Sequence, residues 1–218
     1  MTADVTRRPI RARDTKWAAA TARWLARIGL RPNQISVLSA VFGCGAGTAF
    51  TLTGLVPSPT ARTLCYVLAA AGIQLRLLCN LFDGMVAVEG GFRTKSGAIY
   101  NELPDRFSDG FTLVGAGYVL SHLSWLPEVA WLAAILAVIT AYVRALGSSA
   151  GAQPCFLGPM AKQQRMAVMT AAAVASAVAE QFDVQGHVIA AALIVIVVGC
   201  LVTIVRRCRH IIRELETS

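Results

Sequence analysis

The sequence predicts an all-α integral membrane protein with six transmembrane helices preceded by an amphipathic interfacial helix. Of its 218 residues, 56% are hydrophobic and only 15% are charged, and its mean hydropathy is +0.58. A soluble domain carries roughly 25% charged residues, whereas a disordered chain has low hydrophobicity. Long uncharged runs approach the roughly 20 residues that cross a hydrocarbon core, and they lie at 33–61, 110–127, 129–143, 166–179 and 188–205.

The net charge of +8 raises the question of nucleic-acid binding. The basic residues, however, are concentrated near the two ends of the chain and in short loops between the apolar runs. This distribution is typical of a membrane protein, and we expect no nucleic-acid partner. The first thirty residues are Arg-rich and lack an apolar core, so we expect no cleavable signal peptide.

The first predicted element is a helix within residues 15–31. Trp17, Trp24 and Ile28 fall on one helical stripe, and Lys16 and Arg23 lie on a different face, roughly 100° away. Tryptophan beside arginine is typical of the membrane interface. A soluble surface helix is the alternative interpretation.

Six membrane spans follow, with prolines in most of the gaps between them. We place them at about 34–56, 63–87, 103–121, 127–146, 164–181 and 187–206. The whole chain, 1–218, is then one membrane domain. It comprises a cytoplasmic arm with the juxtamembrane helix at 1–31, a six-helix bundle at 32–206 and a cytoplasmic tail at 207–218.

The positions of Lys and Arg predict the orientation of the bundle. Of the 20 such residues, all but Arg62, Arg76 and Arg106 fall on the side of the two termini and of the second and fourth loops. That side should be cytoplasmic, since Lys and Arg are enriched in cytoplasmic loops. Arg greatly outnumbers Lys, which is typical of a GC-rich bacterial genome, so the expected location is the bacterial inner (plasma) membrane.

Spans two and three each carry a stripe of polar and small residues at helical spacing. On span two these are Arg76, Asn80, Asp83 and Ala87, with Gly84 beside them. On span three they are Gly97, Asn101, Asp105 and Asp109. Ionisable residues inside a membrane are costly and mark functional sites by default.

Both stripes lie at the cytoplasmic ends of their spans, and a short loop joins the two helices, so the stripes are expected to face each other. Converging carboxylate and amide oxygens suit a hard cation such as Mg2+ or Mn2+. The alternative is purely structural: the acids pair with Arg76 and Arg106, for example Arg106 with Glu102 and Asp109.

The segment from Asn80 to Asp105 resembles the signature of the CDP-alcohol phosphotransferase family. That signature reads D-x-x-D-G-x-x-A-R, then eight residues, then G-x-x-x-D-x-x-x-D, and the spacing here is the same. Further resemblance lies in the Arg31 to Ser36 segment and in the Gly158 to Arg165 segment. Members of the CDP-alcohol phosphotransferase family are integral membrane enzymes of phospholipid synthesis.

The resemblance implies a reaction in which a CDP-linked lipid, such as CDP-diacylglycerol, donates a substituted phosphate to a small acceptor alcohol and CMP leaves. It implies Asp105 as the catalytic base and a Mg2+ or Mn2+ site formed by Asp83 and Asp105, with Asn80, Asn101 and Asp109 as further ligands. Gly84, Ala87 and Gly97 would leave room for the substrate. It also implies a homodimer.

Three positions differ from the family pattern, because Asn80 and Asn101 replace acids and Val88 replaces an arginine. Losing two carboxylates removes two negative charges, which leaves one metal ion or two as open alternatives. A register shifted by one turn, with Asp105 and Asp109 as the last two acids, is also open.

Basic residues on the cytoplasmic rim are candidates for binding a substrate phosphate, namely Arg144, Lys162 and Arg165. Their alternative role is membrane topology and contact with lipid headgroups. Two other functions stay open for the whole chain. One is a non-catalytic relative that binds CDP-lipid or a partner, and the other is a small transporter, although transporter sites lie near the membrane midplane.

Overall fold

The computed structural model describes residues 15–92, 96–120, 122–180 and 187–217, and its regular secondary structure over these ranges is helical. The helices are α1 Lys16–Arg27, α2 Pro32–Thr53, α3 Pro59–Glu89, α4 Gly97–Ala116, α5 Leu126–Ser149, α6 Lys162–Ala179 and α7 His187–Thr217. Six of them overlap the six segments predicted as spans, and α1 overlaps the segment predicted as a juxtamembrane helix. The all-helical prediction is confirmed.

Prolines begin several of these helices. Pro32 and Pro59 are the first residues of α2 and α3, and Pro127 is the second residue of α5. A proline is favourable there because its missing N–H is one that the first turn leaves unpaired in any case. The prolines in these predicted gaps therefore mark the N-terminal ends of helices.

Two boundaries differ from the predictions. Helix α4 runs from Gly97 to Ala116 instead of 103–121, so it starts before Pro104 and ends at a turn near Gly117. Helix α7 continues to Thr217 through the segment predicted as a tail. Its apolar face persists there, because Ile211 is buried against Ala152 and Cys155. Part of the predicted orientation signal, Arg7, Arg8, Arg11, Arg13, Arg93 and Lys95, lies outside the described residues.

Within the described ranges, four helices are long and apolar enough to cross a membrane on the criteria of length and composition: α2, α3, α5 and α7. The distribution of side chains agrees with lipid as the solvent. Large apolar residues such as Val41, Leu68 and Ile135 are exposed, while Arg76 and Arg165 are almost completely buried. In water the opposite arrangement is expected, since charged residues are almost never fully buried and large exposed apolar patches are rare.

Helix α2 lies between α3 and α4, which contact each other directly at few points. The expected face-to-face packing of the two helices is therefore mostly replaced by packing of each on α2. Close approach of α2 and α4 depends on glycine: a Cβ on Gly47 would lie 2.2 Å from the carbonyl oxygen of Phe111, and one on Gly115 would lie 2.1 Å from that of Gly47.

Replacing Gly47 with valine should therefore destabilise the bundle by about 1–3 kcal/mol or more, because the backbone of α4 has to move away. The measurement is thermal unfolding of the purified protein in detergent. Gly45→Val is the matched control, since a Cβ there meets nothing within 4 Å. Equal melting temperatures for the two variants would contradict this account of the α2–α4 contact.

Helix α1 packs on α3 through its small residues. Ala18 and Ala22 are completely buried, and the ring of Trp17 meets that of Phe82 edge to face at 6.0 Å. Trp24 and Ile28 are more than half exposed. The predicted apolar stripe thus points largely away from the bundle.

Candidate active site

A cavity of about 390 Å3 opens at the end of the bundle where α3 ends and α4 begins. Helices α3 to α7 and the segment preceding α6 contribute to its wall. The charged residues that line it are Glu102, Asp105, Arg106, Arg144, Lys162, Arg165 and Arg207. Asn80 and Asn101 line it as well. One cavity therefore joins the polar stripe of α4 to the basic residues that the sequence placed on the rim.

Asp105 is a buried carboxylate in the wall of this cavity. Its Oδ2 forms an ion pair with Nζ of Lys162. Its Oδ1 is buried, lies 3.6 Å from Nη2 of Arg76 and has no hydrogen-bond partner among the described residues. A buried carboxylate oxygen without a donor is rare in proteins, and it is available to a ligand.

Two serines of α2 hold the polar stripe of α3. Ser36 Oγ donates to Oδ2 of Asp83 at 2.8 Å, and Ser39 Oγ donates to Oδ1 of Asn80 at 3.0 Å. Asp83 is 3% exposed, and its other carboxylate oxygen, Oδ1, accepts from the N–H of Gly84. The side chains of Asp83 and Asn80 are thus fixed from α2, the helix that also packs on α4.

Asp109 is the centre of a buried ionic triad. Its Oδ1 accepts from Nη2 of Arg76 at 2.5 Å and its Oδ2 from Nη2 of Arg165 at 2.7 Å. All three side chains are at most 1% exposed. Both oxygens of Asp109 are engaged by guanidinium groups, and its role as a metal ligand and the shifted register both stay predictions. Arg165, which lines the cavity, also donates to the carbonyl of Met160, and its predicted role in substrate binding stays a prediction.

Glu102 connects two arginines at the cavity mouth. Its carboxylate accepts from Arg106 at 2.7 Å and from Arg144 at 2.5 Å. Arg144 also lies over the ring of Phe156, 5.6 Å from its centroid. Burial acts to raise the pKa of Glu102, which lies just before the third predicted span, but the two guanidinium groups outweigh it and hold the pKa below its ordinary value. The ion pair of Glu102 with Arg106, like those of Arg76 with Asp105 and Asp109, agrees with the structural alternative.

The segment before α6 determines where Lys162 lies. Gly158 has a φ of +115° and lies so close to Thr203 of α7 that a Cβ would be 2.5 Å from its Cγ2. The N–H of Met160 donates to Thr203 Oγ1 at 2.9 Å, and Nε of Arg207 donates to the carbonyl of Leu157 at 2.9 Å. These contacts hold the segment on α7, so that α6 begins at Lys162 beside Asp105.

The small residues of the motif occupy other positions. Gly84 is buried in α3, and its N–H donates to Oδ1 of Asp83 at 2.5 Å. Ala87 and Gly97 are half-buried. The described residues that line the cavity do not include Gly84, Ala87 or Gly97. Their predicted role in substrate binding therefore stays a prediction.

The residues present fit one divalent cation better than two. Over the described part of the chain, no group of three or more His, Cys, Asp and Glu is arranged to hold a metal. Asp83 and Asp105 supply two carboxylates, and Asn101 is an exposed amide at the cavity wall. Mg2+ in enzymes commonly has one or two carboxylates and completes its shell with water and substrate phosphates.

Sequence reasoning missed several residues that build this site. Ser36 and Ser39 are one helical turn apart, a spacing that places both on the same face of α2, toward α3. Arg207 lies in a basic segment that is typical of membrane topology, yet it is only 4% exposed. Its Nη1 donates to the carbonyl of Thr140 at 2.5 Å. No local sequence pattern indicated that contact.

Solved structures with the same architecture decide the fold. Three crystal structures of the Mycobacterium tuberculosis phosphatidylinositol phosphate synthase align with this chain. The one with manganese and citrate gives a TM-score of 0.72 at 21% identity over 89% of this chain and 88% of that one. The one with CDP-DAG bound gives 0.73 at 20% over 90% and 94%, and the apo form gives 0.69 at 21% over 87% and 93%. The chain has the same fold as these phosphatidylinositol phosphate synthase structures.

Sequence comparison agrees with this assignment of the fold. The phosphatidylinositol phosphate synthases of Mycobacterium tuberculosis and Mycobacterium bovis are 27% identical to this chain over 136 residues. The match covers 60% of this chain, and the chain spans only 57% of the length of these curated relatives. No protein-family model matches the chain. The motif indicated a resemblance to the CDP-alcohol phosphotransferases, and the shared fold and the sequence match to the synthases confirm that resemblance.

Proposed function

We propose that this protein transfers a substituted phosphate from a CDP-linked lipid, such as CDP-diacylglycerol, to an acceptor alcohol and releases CMP, in phospholipid biosynthesis. The observation that carries the proposal is Asp105, a buried carboxylate in a cavity that also presents Lys162 and Arg144. Such a cavity supplies a proton acceptor together with cations for a diphosphate. Its likeness in fold to a synthase with CDP-DAG bound supports the same donor.

In this reaction the acceptor oxygen forms a bond to the phosphorus attached to the lipid, and the bond from that phosphorus to the bridging oxygen breaks. CMP leaves with that oxygen. Asp105 takes the hydroxyl proton of the acceptor, which makes the acceptor oxygen a better nucleophile. A divalent metal, Mg2+ or Mn2+, bound at Asp83 and Asp105 would neutralise the diphosphate and the charge on the departing CMP oxygen.

The proposed setting is the bacterial inner membrane, with six spans, α1 in the cytoplasmic interface and both termini cytoplasmic. The clustering of Lys and Arg supports this orientation. It places His122 and His187, whose rings lie 6.3 Å apart, on the external side, away from the cavity. We also propose a single membrane domain over 1–218 and, from the family resemblance, a homodimer.

The test is CMP release by the full chain in lipid vesicles containing CDP-diacylglycerol and Mg2+ or Mn2+. The acceptor panel comprises inositol phosphates, glycerol 3-phosphate, serine and simple polyols, with an inositol phosphate first because the relatives are phosphatidylinositol phosphate synthases. We expect release with at least one acceptor, loss of release in EDTA, and loss in Asp83→Asn, since that change removes one of the two carboxylates for the metal.

Asn80 and Asn101 favour a second candidate function, a non-catalytic relative that binds CDP-lipid or a partner, because both replace acids of the motif. The same assay separates the two. Absence of CMP release across the whole panel, with CDP-diacylglycerol still bound, would overturn the proposed transferase activity in favour of the second function.

A further inference from the structure

Asn80 presents a hydrogen-bond donor where the motif has a metal-binding acid. Its Oδ1 is committed to Ser39 Oγ of α2. Its Nδ2 is buried and lacks a hydrogen-bond partner among the described residues, and the residue lines the cavity. An unpartnered buried donor is unfavourable unless a ligand accepts from it, and an N–H2 group cannot ligate a cation. The free polar group of Asn80 therefore suits an anion.

Lys162 already supplies a positive charge at the last acid of the motif. Its ammonium pairs with Oδ2 of Asp105, and its side chain, 21% exposed, reaches the cavity from the first turn of α6. An ammonium has three donors, so two remain after the bond to Asp105. These donors can bind phosphate oxygens directly.

The net charge of the cavity wall also favours binding of an anion. Its lining contains the cations Arg106, Arg144, Lys162, Arg165 and Arg207 against the anions Glu102 and Asp105. The nearby Asp109 is shared between Arg165 and Arg76. The wall is therefore positively charged before any metal binds, and a second dication would be repelled by Lys162 at close range.

We propose that Lys162 and Asn80 take the place of a second divalent cation. The site binds one divalent ion, at Asp83 and Asp105, and the ammonium of Lys162 and the amide of Asn80 bind the diphosphate directly. When the diphosphate arrives, Lys162 moves its hydrogen bond from Asp105 to a phosphate oxygen, which leaves Oδ2 of Asp105 free to accept a proton. The diphosphate part of this inference rests on the proposed function, whereas the metal count does not.

The first experiment counts Mn2+ by electron paramagnetic resonance on the purified full chain in detergent, without any substrate. We expect one bound Mn2+ per chain, and none in Asp83→Asn. In Lys162→Met the affinity for Mn2+ should rise at least about tenfold, because the change removes a positive charge beside Asp105 that repels the metal cation. Adding Asn80→Asp and Asn101→Asp to that variant should create a second Mn2+ site.

Two variants serve as controls for this count. Lys16→Met removes the same charge from the exposed start of α1 and should leave Mn2+ binding unchanged. Lys162→Arg keeps the positive charge and should bind one Mn2+, as the parent does. Two Mn2+ per parent chain, or weaker Mn2+ binding in a Lys162→Met protein that elutes as a folded species, would overturn the proposal.

The second experiment measures CDP-diacylglycerol binding in EDTA. We expect the parent to retain metal-free binding, and Lys162→Met and Asn80→Leu each to weaken it about tenfold, while Lys16→Met has no effect. Binding that disappears completely in EDTA would contradict direct contact by Lys162 and Asn80. Neither experiment requires turnover, so a protein that releases no CMP with any acceptor but binds one Mn2+ would refute the transferase proposal and leave the metal count intact.

Discussion

Asp105→Asn is expected to lower the rate of CMP release by about 10²- to 10⁴-fold, the usual contribution of a general base. The amide keeps the shape of the side chain but cannot take the acceptor proton. It also removes one of the two carboxylates available to a metal ion. The assay is initial CMP release from CDP-diacylglycerol at saturating acceptor and Mn2+.

The control for this variant is Glu128→Gln, which makes the same change of charge at the exposed first turn of α5, at the other end of the bundle. It should leave the rate unchanged. Thermal unfolding of Asp105→Asn confirms that the protein is folded. A folded variant that retains more than a tenth of the parent rate would exclude Asp105 as the base.

Asp109→Asn is expected to destabilise the protein by about 3–5 kcal/mol, the cost of breaking a buried ion pair from one side. The change leaves the buried guanidinium of Arg165 without its carboxylate partner and leaves Arg76 with only the Asp105 oxygen 3.6 Å away. Reversible unfolding in mixed detergent measures the free energy, and lower yield of folded protein is the qualitative readout.

A compensated variant separates charge from packing in this triad. Replacing Arg76 with Met, Asp109 with Leu and Arg165 with Met together removes all three charges, and stability should recover most of the loss, since well-packed apolar groups commonly substitute for a buried ionic cluster. If Asp109→Asn instead unfolds like the parent and loses Mn2+ binding, then Asp109 belongs to the metal site after all, and the shifted register of the motif is correct.

Patterns within short stretches of the sequence were sufficient to predict where the helices lie. Hydropathy and prolines predicted the approximate positions of α2 to α7, the amphipathic stripe predicted α1, and the four-residue steps from Asn101 to Asp109 correctly predicted a continuous helix there. The pattern failed at helix ends such as the start of α4, because a proline in the first turns of a helix is tolerated and does not mark its beginning.

The assignment of roles within the polar stripes was less complete. Helical spacing and the family resemblance together indicated Asp83 and Asp105; Asp105 lines the cavity, whereas Asp83 is buried and accepts a hydrogen bond from Ser36. Asp109 has the same spacing and chemistry, but its environment differs because Arg165 reaches it from α6, 56 residues further along the chain. Periodicity describes one helix at a time and carries no information about such a partner.

The sequence by itself determined that the chain is helical and apolar, and that its acids and amides are concentrated at one end of two neighbouring spans. Only the tertiary structure decided what each of them does. It inserted α2 between α3 and α4, turned the oxygen of Asn80 toward Ser39, and enclosed Asp109 between two arginines while leaving Asp105 in the cavity with Lys162. The physical reason is that helix formation follows from interactions within about four residues. The role of a buried charge depends instead on which opposite charges and donors the folded chain brings to it from distant segments.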